Sequence, residues 1–214
     1  MNHRSAPKVE GRLFVFSSPS GGGKTMLVKR LLEDDPKLVV SVSSTTRPAR
    51  EGEQPGIDYD FVSEEEFSSL VDSGEFLEHA EVFGSRYGTR RNLVEEQLRH
   101  GFDVLFDIDW QGARSIKRQF PNSTSFFIVP PSTDELRRRL VARGQDSEAV
   151  IAYRMSQARA EMSHYNEFDH VVVNTDADLA YRAIRDAIEA VRMSRPVQLE
   201  CASHVVKRML ESTQ

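Results

Sequence analysis

The sequence predicts an α/β fold in which a mainly parallel sheet is flanked by helices. Short apolar runs suited to buried strands alternate along the chain with segments whose apolar residues recur at helical spacing. In addition, a glycine-rich stretch, SPSGGGKT at residues 18–25, directly follows the first apolar run. Glycines between a strand and a helix are typical of the tight turns of such folds.

The strands are predicted where apolar runs of strand length occur. In chain order these runs are LFVF (13–16), LVVSVS (38–43), DVLFDID (103–109), SFFIV (125–129) and HVVVN (170–174). Each is short and rich in β-branched or aromatic residues, as expected of strands buried in a sheet.

The helices are predicted from apolar stripes and capping residues. One stripe follows the glycines at Leu27, Val28, Leu31 and Leu32; later stripes are Ile151, Met155, Ala158 and Met162, and Leu179, Ala183, Ile184, Ala187, Ile188 and Val191. Ser63 with Glu66 has capping-box spacing before another helix, and Ser132 or Thr133 opens the segment DELRRRLVARG.

Two regions interrupt this alternation and are predicted to be insertions on the core. Residues 44 to about 92 are rich in Gly, Pro, Arg, Tyr and acidic residues, with one clear helix near 63–73. Residues 137–154 carry five arginines around a Gly-Gln pair. Binding and catalytic residues commonly lie on such excursions from a rigid scaffold.

Composition narrows the class of protein. The chain has 214 residues, of which 39% are hydrophobic and 29% charged, as in an ordinary globular protein with a sizeable core. Its net charge of -5 argues against a broad nucleic-acid surface, so no nucleic-acid partner is expected. The single cysteine, Cys201, cannot form an intrachain disulfide, which favours a reducing compartment.

No membrane partner is expected either. No apolar stretch approaches the ~20 residues of a membrane-spanning helix. The polar start, MNHRSAPKVE, lacks the apolar middle of a signal peptide. Residues 1–9 are therefore interpreted as a flexible tail on a cytoplasmic protein.

The stretch SPSGGGKT has the residues of a phosphate-binding loop. Gly21, Gly22 and Gly23 allow successive backbone N–H groups to converge on phosphate oxygens, Lys24 can reach the outer phosphates, and Thr25 offers a hydroxyl to Mg²⁺. Ser18 departs from the pattern G-x-x-x-x-G-K-[ST] at its first position. Serine disfavours positive φ, so the loop is expected to function if that position is not left-handed.

A second site is predicted for a nucleoside monophosphate. Arg47, Arg50, Tyr59 and Tyr87 together offer planar guanidinium forks and phenolic donors suited to one phosphate dianion. Glu78 could accept hydrogen bonds from the N1–H and amino groups of guanine, and hydroxyls such as Ser43 and Thr89 could donate to the base. Adenine lacks the N1–H donor, so a glutamate would discriminate against it.

These motifs occur in the order found in a known family. Over residues 11 to about 192 the sequence resembles guanylate kinase, an ATP:GMP phosphotransferase. The blocks that carry the resemblance are SPSGGGKT, SSTTRPAREGE with GIDYDF, FLE with YGT, and DIDWQG, followed by RGQDSE and EMSHYNEFDHVVVN.

The resemblance implies a P-loop kinase fold with three parts. The core, which binds ATP, would comprise residues 10–42, 93–136 and 158–214. A small mixed α+β insertion that binds GMP would span 43–92, and a helical lid 137–157. The substrates would be ATP and GMP or dGMP, with Mg²⁺ as the cofactor, and whether the chain forms a homo-oligomer is left open.

The resemblance also implies roles for individual residues. The ligands of the GMP phosphate would be Arg47, Arg50, Tyr59 and Tyr87. The guanine base would be read by Ser43, Glu78, Thr89 and Asp109. Magnesium would lie near Thr25 and Asp107. ATP would contact Ser20, Gly21, Gly22, Gly23, Lys24, Thr25, Met26 and Asn174, and catalysis would rest on Lys24 and the lid arginines Arg139, Arg143 and Arg154.

Two alternative functions are weighed against this one. A kinase of similar fold could phosphorylate another acceptor, such as AMP, dTMP or a sugar phosphate. A protein of a different class, a non-catalytic guanylate-kinase-like module, could bind phosphopeptides through the acceptor site. The intact GGGKT at 21–25 argues against the module, and Glu78 with its hydroxyl neighbours argues for guanine.

Overall fold

The computed structural model describes residues 11–82, 84–142 and 147–194. The predicted tail at 1–9, Arg143 and the segment that contains Cys201 lie outside the described residues. In chain order the helices and strands are β1 (Leu13–Ser17), α1 (Lys24–Asp34), β2 (Leu38–Val40), β3 (Ser43–Thr45), β4 (Asp60–Phe61), α2 (Glu64–Asp72), β5 (Phe76–Val82), β6 (Ser85–Arg90), α3 (Arg91–Arg99), β7 (Asp103–Asp107), α4 (Trp110–Gln119), β8 (Thr124–Val129), α5 (Thr133–Ala142), α6 (Glu148–Met162), β9 (His170–Val173) and α7 (Ala177–Arg192).

The core sheet contains five strands in the order β2-β7-β1-β8-β9, and every neighbouring pair is parallel. The predicted α/β class with a mainly parallel sheet is therefore confirmed. Phe16 in β1 is paired with Asp107 in β7, and the phosphate loop follows β1 directly. Ligands of open parallel sheets bind at this carboxyl edge, so the fold brings the two motifs to one place.

Helices cover both faces of the core sheet. On one face, residues of α1 and α7 such as Leu27, Leu31 and Ile184 pack with Phe14 and Phe16 of β1. The opposite face is covered by residues of α3 and α4, which pack against β1 and β7. With both faces covered, the strands read as continuous apolar runs, and for that reason they were predictable.

A smaller mixed sheet has the strand order β4-β3-β6-β5. Its strands β3 and β4 are parallel, and its other pairs are antiparallel. The helix predicted near 63–73 is α2, and the Ser63 side chain accepts a hydrogen bond from the Glu66 amide, as the capping residues indicated. Phe67 and Leu70 of α2 pack on Phe76, giving the small sheet an apolar cluster of its own.

Two predictions about the strands are wrong in detail. The run 38–43 is not one strand, because β2 belongs to the core sheet and β3 to the small sheet. An apolar run does not reveal which sheet its residues join. The run 103–109 ends as a strand at Asp107, since Asp109 instead caps the following helix.

The predicted apolar stripe of α7 is also partly wrong. Leu179 is 65% exposed and Ala183 is exposed, whereas Ala180, Tyr181 and Ile184 are buried. The buried face includes Tyr181, whose hydroxyl donates to Asp34 over 2.6 Å. The stripe was drawn from aliphatic residues alone, and the buried tyrosine rotates it by about one residue.

Helices α5 and α6 pack against each other in an apolar cluster that is separate from the two clusters on the core sheet. Leu136 and Leu140 of α5 are buried against Ile151 and Ala158 of α6. Of the two predicted caps of α5, Ser132 is the one whose hydroxyl accepts from the backbone, at the Glu135 amide. The predicted lid bounds at 137–157 fall inside both helices, and the division into three parts stays a prediction.

Among the helices that the described residues form, none is both long and apolar enough to cross a lipid bilayer.

Candidate active site

A cleft of about 290 Å³ opens between the carboxyl edge of the core sheet and the small sheet. Its walls come from the phosphate loop, the ends of β1 and β7, the small sheet and α6. The lining residues are Ser18, Pro19, Ser20, Gly21, Gly23, Lys24, Thr25, Ser43, Tyr59, Glu78, Ala80, Val82, Tyr87, Asp107, Ile108, Asp109 and Glu161. The cleft therefore joins the predicted phosphate loop to most of the predicted acceptor site.

The backbone of the phosphate loop requires glycine at two positions. Gly21 and Gly23 have φ angles of 89° and 98°, in the left-handed region that other residues rarely adopt. At Gly23 a Cβ atom would also lie 2.2 Å from Nδ2 of Asn174. Gly23 then caps α1, so the N-terminus of that helix faces the cleft, a position that favours bound anions.

Two side chains donate hydrogen bonds to the backbone of the phosphate loop. Asn174, which is buried, donates from Nδ2 to the carbonyl oxygen of Gly22 over 3.0 Å. Arg139 donates to the same Gly22 oxygen over 3.2 Å and to the backbone oxygen of Asn174 over 2.9 Å. Asn174, a predicted ATP contact, and Arg139, a predicted lid arginine, thus both contact the loop, although neither lines the cleft.

Lys24 extends across the floor of the cleft. Its ammonium forms an ion pair with Asp107 and donates to the backbone oxygen of Ile108 over 3.2 Å. Its side chain is 16% exposed, so the charge is only partly solvated. Thr25 follows in the first turn of α1 and is exposed.

Three of the four predicted guanine readers form one row across the small sheet, and the fourth, Asp109, caps α4. Ser43 of β3 is paired with Thr89 of β6, and Thr89 with Glu78 of β5. The Thr89 hydroxyl donates to Oε1 of Glu78 over 2.6 Å. Because the three residues lie on adjacent strands at one register, the sheet brings them together, and Ser43 and Glu78 line the cleft.

Glu78 is held on its second side by a helix. Asp109 caps α4 by accepting from the Gly112 amide over 2.9 Å. A Cβ atom on Gly112 would lie only 2.7 Å from Oε2 of Glu78. The absence of a side chain at Gly112 therefore makes room for the carboxylate.

Burial makes Glu78 a weaker acid than an ordinary glutamate. The residue is 4% exposed, and this burial raises its pKa to about 7, with nearby Asp109 acting in the same direction and the Thr89 hydroxyl opposing it. No cation is paired with Glu78 among the ion pairs of the described residues. Within the described residues its carboxylate therefore lines the cleft without a charged partner.

The predicted phosphate ligands occupy the outer part of the small sheet. Nη2 of Arg47 donates to both carboxylate oxygens of Glu53, over 2.8 and 2.9 Å, which lowers the pKa of Glu53. Its guanidinium lies 5.2 Å from the centre of the Tyr59 ring, and Tyr59 meets Tyr87 edge-on at 5.9 Å. Three of the four predicted ligands thus form one cluster.

Arg50 is less constrained than the other three. Its backbone amide donates to Glu53 over 2.8 Å, and its side chain is exposed. Arg47 and Arg50 both donate to Glu53, although neither lines the cleft.

Sequence reasoning missed Glu161, which lines the cleft from α6. Its Oε2 accepts a hydrogen bond from the Ser20 amide of the phosphate loop over 3.3 Å. Burial raises the pKa of Glu161, and Lys24 acts in the opposite direction. One signal was available, because Glu161 lies three residues after Ala158 and so borders the predicted apolar stripe of α6.

Several other predicted residues lie outside the cleft wall. Met26 is 51% exposed on α1, and Thr89 and Gly22 lie behind the lining. Arg154 is half-buried on α6. Arg143 lies outside the described residues, so its predicted place in the lid stays a prediction.

Comparisons with known proteins agree with the geometry. The family model described as guanylate kinase matches residues 10–191. A curated guanylate kinase of Photobacterium profundum is 53% identical over 191 residues, which cover 88% of this chain and 92% of the relative. One from Vibrio vulnificus is 50% identical over 203 residues, covering 94% and 98%.

A solved structure is similar over the same extent. The crystal structure of guanylate kinase from Anaplasma phagocytophilum has a TM-score of 0.74 to this chain and 40% sequence identity. The match covers 88% of this chain and 89% of the crystallised one. The sequence blocks and the fold thus point to the same relatives.

Proposed function

The chain belongs to the guanylate kinase family, and from that premise we propose how the residues of its cleft transfer the γ-phosphate of ATP to GMP. The enzyme is an ATP:GMP phosphotransferase. One observation carries the assignment of residues: the phosphate loop, Ser43 and Glu78 line one cleft, and Thr89 donates to Glu78 from the strand between them.

On the donor side we propose that the loop holds the ATP phosphates. The left-handed glycines free backbone N–H groups to face the cleft, and α1 directs its N-terminus towards them. Lys24 would exchange Asp107 for the outer phosphates, since its ammonium already lies among the lining residues. Asn174 and Arg139 would keep the loop in shape from behind.

The donor set fits a magnesium ion that is shared with the substrate. The described residues contain no group of three or more acidic, histidine or cysteine side chains that could hold a metal by themselves. Mg²⁺ usually takes one or two protein ligands besides substrate phosphates and water, which suits the Thr25 hydroxyl and the Asp107 carboxylate. When bound, the ion would neutralise charge on the β- and γ-phosphates.

On the acceptor side we propose that Glu78 reads the guanine base. An ionised Glu78 can accept from both the N1–H and the amino group of guanine, while Ser43 and Asp109 line the same cleft. Arg47, Arg50, Tyr59 and Tyr87 would hold the GMP phosphate. These contacts address the base and the phosphate, so dGMP is expected to be an acceptor as well.

The reaction then depends on position and charge. An oxygen of the GMP phosphate attacks the γ-phosphorus, an O–P bond forms, and the bond to the bridging oxygen breaks as ADP leaves with the electron pair. The attacking oxygen is already ionised, so no side chain needs to remove a proton. Lys24 would stabilise the charge that develops on the transferred group, and closure of the lid would bring Arg143 and Arg154 over the phosphates, with Arg139 already in contact with the loop.

The assignment of the acceptor is tested by an assay of ADP release with GMP, dGMP, AMP, dTMP and no acceptor. We expect rapid turnover with GMP, turnover with dGMP, and little ADP release with the others or without acceptor. Rapid turnover with AMP but not with GMP would overturn the roles of Glu78, Ser43 and Asp109.

The single cysteine further supports a reducing, cytoplasmic setting as part of the proposal.

A further inference from the structure

Glu161 places a carboxylate in the phosphate loop. Its Oε2 lies 3.3 Å from the amide nitrogen of Ser20, and both residues line the cleft. A backbone N–H donates well to one acceptor at a time. The carboxylate therefore takes a donor that the loop would otherwise offer to a phosphate oxygen.

The charges around the loop follow the same pattern. Lys24, the second donor of the loop, is paired with the carboxylate of Asp107. Both an amide and the ammonium of an anion-binding loop are thus occupied by carboxylates of the chain. A polyphosphate that enters must displace them or tolerate a like charge at contact distance, which is unfavourable in a partly buried cleft.

We propose that Glu161 is a placeholder for a phosphate oxygen, which binding of ATP displaces from the Ser20 amide. The inference rests on the proposed function only in taking residues 18–25 as the phosphate loop. Two consequences follow. First, Glu161 lowers the affinity of the loop for polyphosphate. Second, displacement of Glu161 moves α6, the helix that also carries Arg154.

The displacement has a natural reporter. The chain contains one tryptophan, Trp110, and its ring stacks on His164 with centroids 3.6 Å apart and planes 8° apart. His164 lies three residues after Glu161, just beyond the end of α6. A shift of Glu161 away from the loop should therefore change the fluorescence of Trp110.

The test compares Glu161→Gln and Glu161→Ala with wild type, using inorganic tripolyphosphate and ADP as probes in the absence of metal and GMP. Calorimetry should show that both variants bind both probes about 5–10-fold more tightly, because a like charge has been removed from the site. GMP affinity should not change. The control is Glu96→Gln on the exposed surface of α3, which changes the net charge equally and should leave affinity for the probes unaltered.

Other outcomes would overturn the proposal in distinguishable ways. If Glu161→Ala binds the probes more weakly while Glu161→Gln is unchanged, Glu161 supports the loop instead of competing with phosphate. Equal affinity in wild type and both variants would show that the carboxylate does not compete. If neither probe binds to any form of the protein, the phosphate loop itself is wrongly assigned, and the placeholder fails with it.

Fluorescence tests the second consequence. Tripolyphosphate should change the Trp110 emission of wild type more than that of Glu161→Ala, in which the contact with the loop is already absent. An equal change in the two proteins would mean that α6 does not respond to the loss of this contact.

Discussion

The two halves of the cleft differ in the groups that they present to a ligand. The donor half presents backbone, since its loop is shaped by glycines and rests on a core sheet covered by helices on both faces. The acceptor half presents side chains from a four-stranded sheet with a small apolar cluster of its own. Backbone amides recognise any phosphate, whereas a row of side chains can distinguish one base from another.

This difference predicts that the donor half determines the rate of phosphoryl transfer and that the acceptor half determines which acceptor is used. Substitutions in the donor half should reduce turnover with every acceptor. Substitutions in the acceptor half should reduce the use of GMP and leave the binding of ATP intact. Each prediction below tests one side of this division.

The largest effect is expected for Lys24→Ala. Loss of a fixed cation from a partly buried site should cost about 3–5 kcal/mol of transition-state stabilisation, which lowers kcat on the order of a thousandfold. Folding should be intact, as judged from circular dichroism and thermal melting. Lys29→Ala, on the exposed side of the same helix, is the matched control and should retain activity. A kcat for Lys24→Ala within tenfold of wild type would exclude the assigned role.

The next effect is expected for Glu78→Gln. The amide would place a donor against a donor of guanine, and we expect kcat/KM for GMP to fall about 100-fold, or roughly 3 kcal/mol. The affinity for ATP, measured by calorimetry, should not change. Glu81→Gln on the exposed part of the same strand removes an equal charge and serves as the control. Unaltered GMP kinetics in Glu78→Gln would remove Glu78 from base recognition.

A smaller effect is expected for Gly112→Ala. The new Cβ would lie 2.7 Å from Oε2 of Glu78, and the end of that side chain can move more easily than the backbone. Stability should therefore change little, while the displaced carboxylate raises KM for GMP by about 20-fold. Steady-state kinetics and thermal melting separate the two quantities.

A double variant sharpens this result. Glu78→Asp shortens the side chain, so Gly112→Ala combined with Glu78→Asp should perform better than the product of the two single losses predicts. Strictly additive losses would show that Gly112 does not position Glu78. A KM for ATP that rises together with KM for GMP would indicate a general disturbance of the cleft.

Much of the donor half was predictable because its residues are neighbours in the sequence. A strand, three glycines, Lys24 and Thr25 occupy neighbouring positions, and local geometry brings them together. The core strands were predictable for a related reason, since burial on both faces leaves uninterrupted apolar runs. The break between β2, which joins the core sheet, and β3, which joins the small sheet, was not predictable, because hydrophobicity alone does not specify a strand's partner.

The contacts that sequence reasoning missed join distant segments. Glu161 and Ser20 are 141 residues apart, and Arg139 and Gly22 are 117 apart. The apolar stripe of α6 indicates that Glu161 lies near the core, but it does not indicate contact with the phosphate loop. The acceptor residues were predicted from their chemistry and from the family's blocks, whereas the space that Gly112 leaves for Glu78 appears only in three dimensions.

The smallest effect expected is a dependence of guanosine binding on pH. Guanosine has no phosphate, so it tests the base-reading half without titration of the ligand's phosphate. Burial raises the pKa of Glu78 to about 7. A protonated carboxyl group loses an acceptor for guanine, so binding requires the ionised form and is favoured as the pH rises through 7.

For a group with this pKa, the ionised fraction falls about tenfold between pH 8 and pH 6, and guanosine affinity should fall by the same factor. Calorimetry at pH 6, 7 and 8 measures it, with Glu78→Gln as a reference whose weaker binding should not vary with pH. ADP binding, which depends on the donor half, should lack the inflection assigned to Glu78. If the affinity of wild type for guanosine is constant over this range, the base is not read by a carboxylate that burial has made weakly acidic, and the selectivity of the acceptor half must come from the hydroxyls beside it.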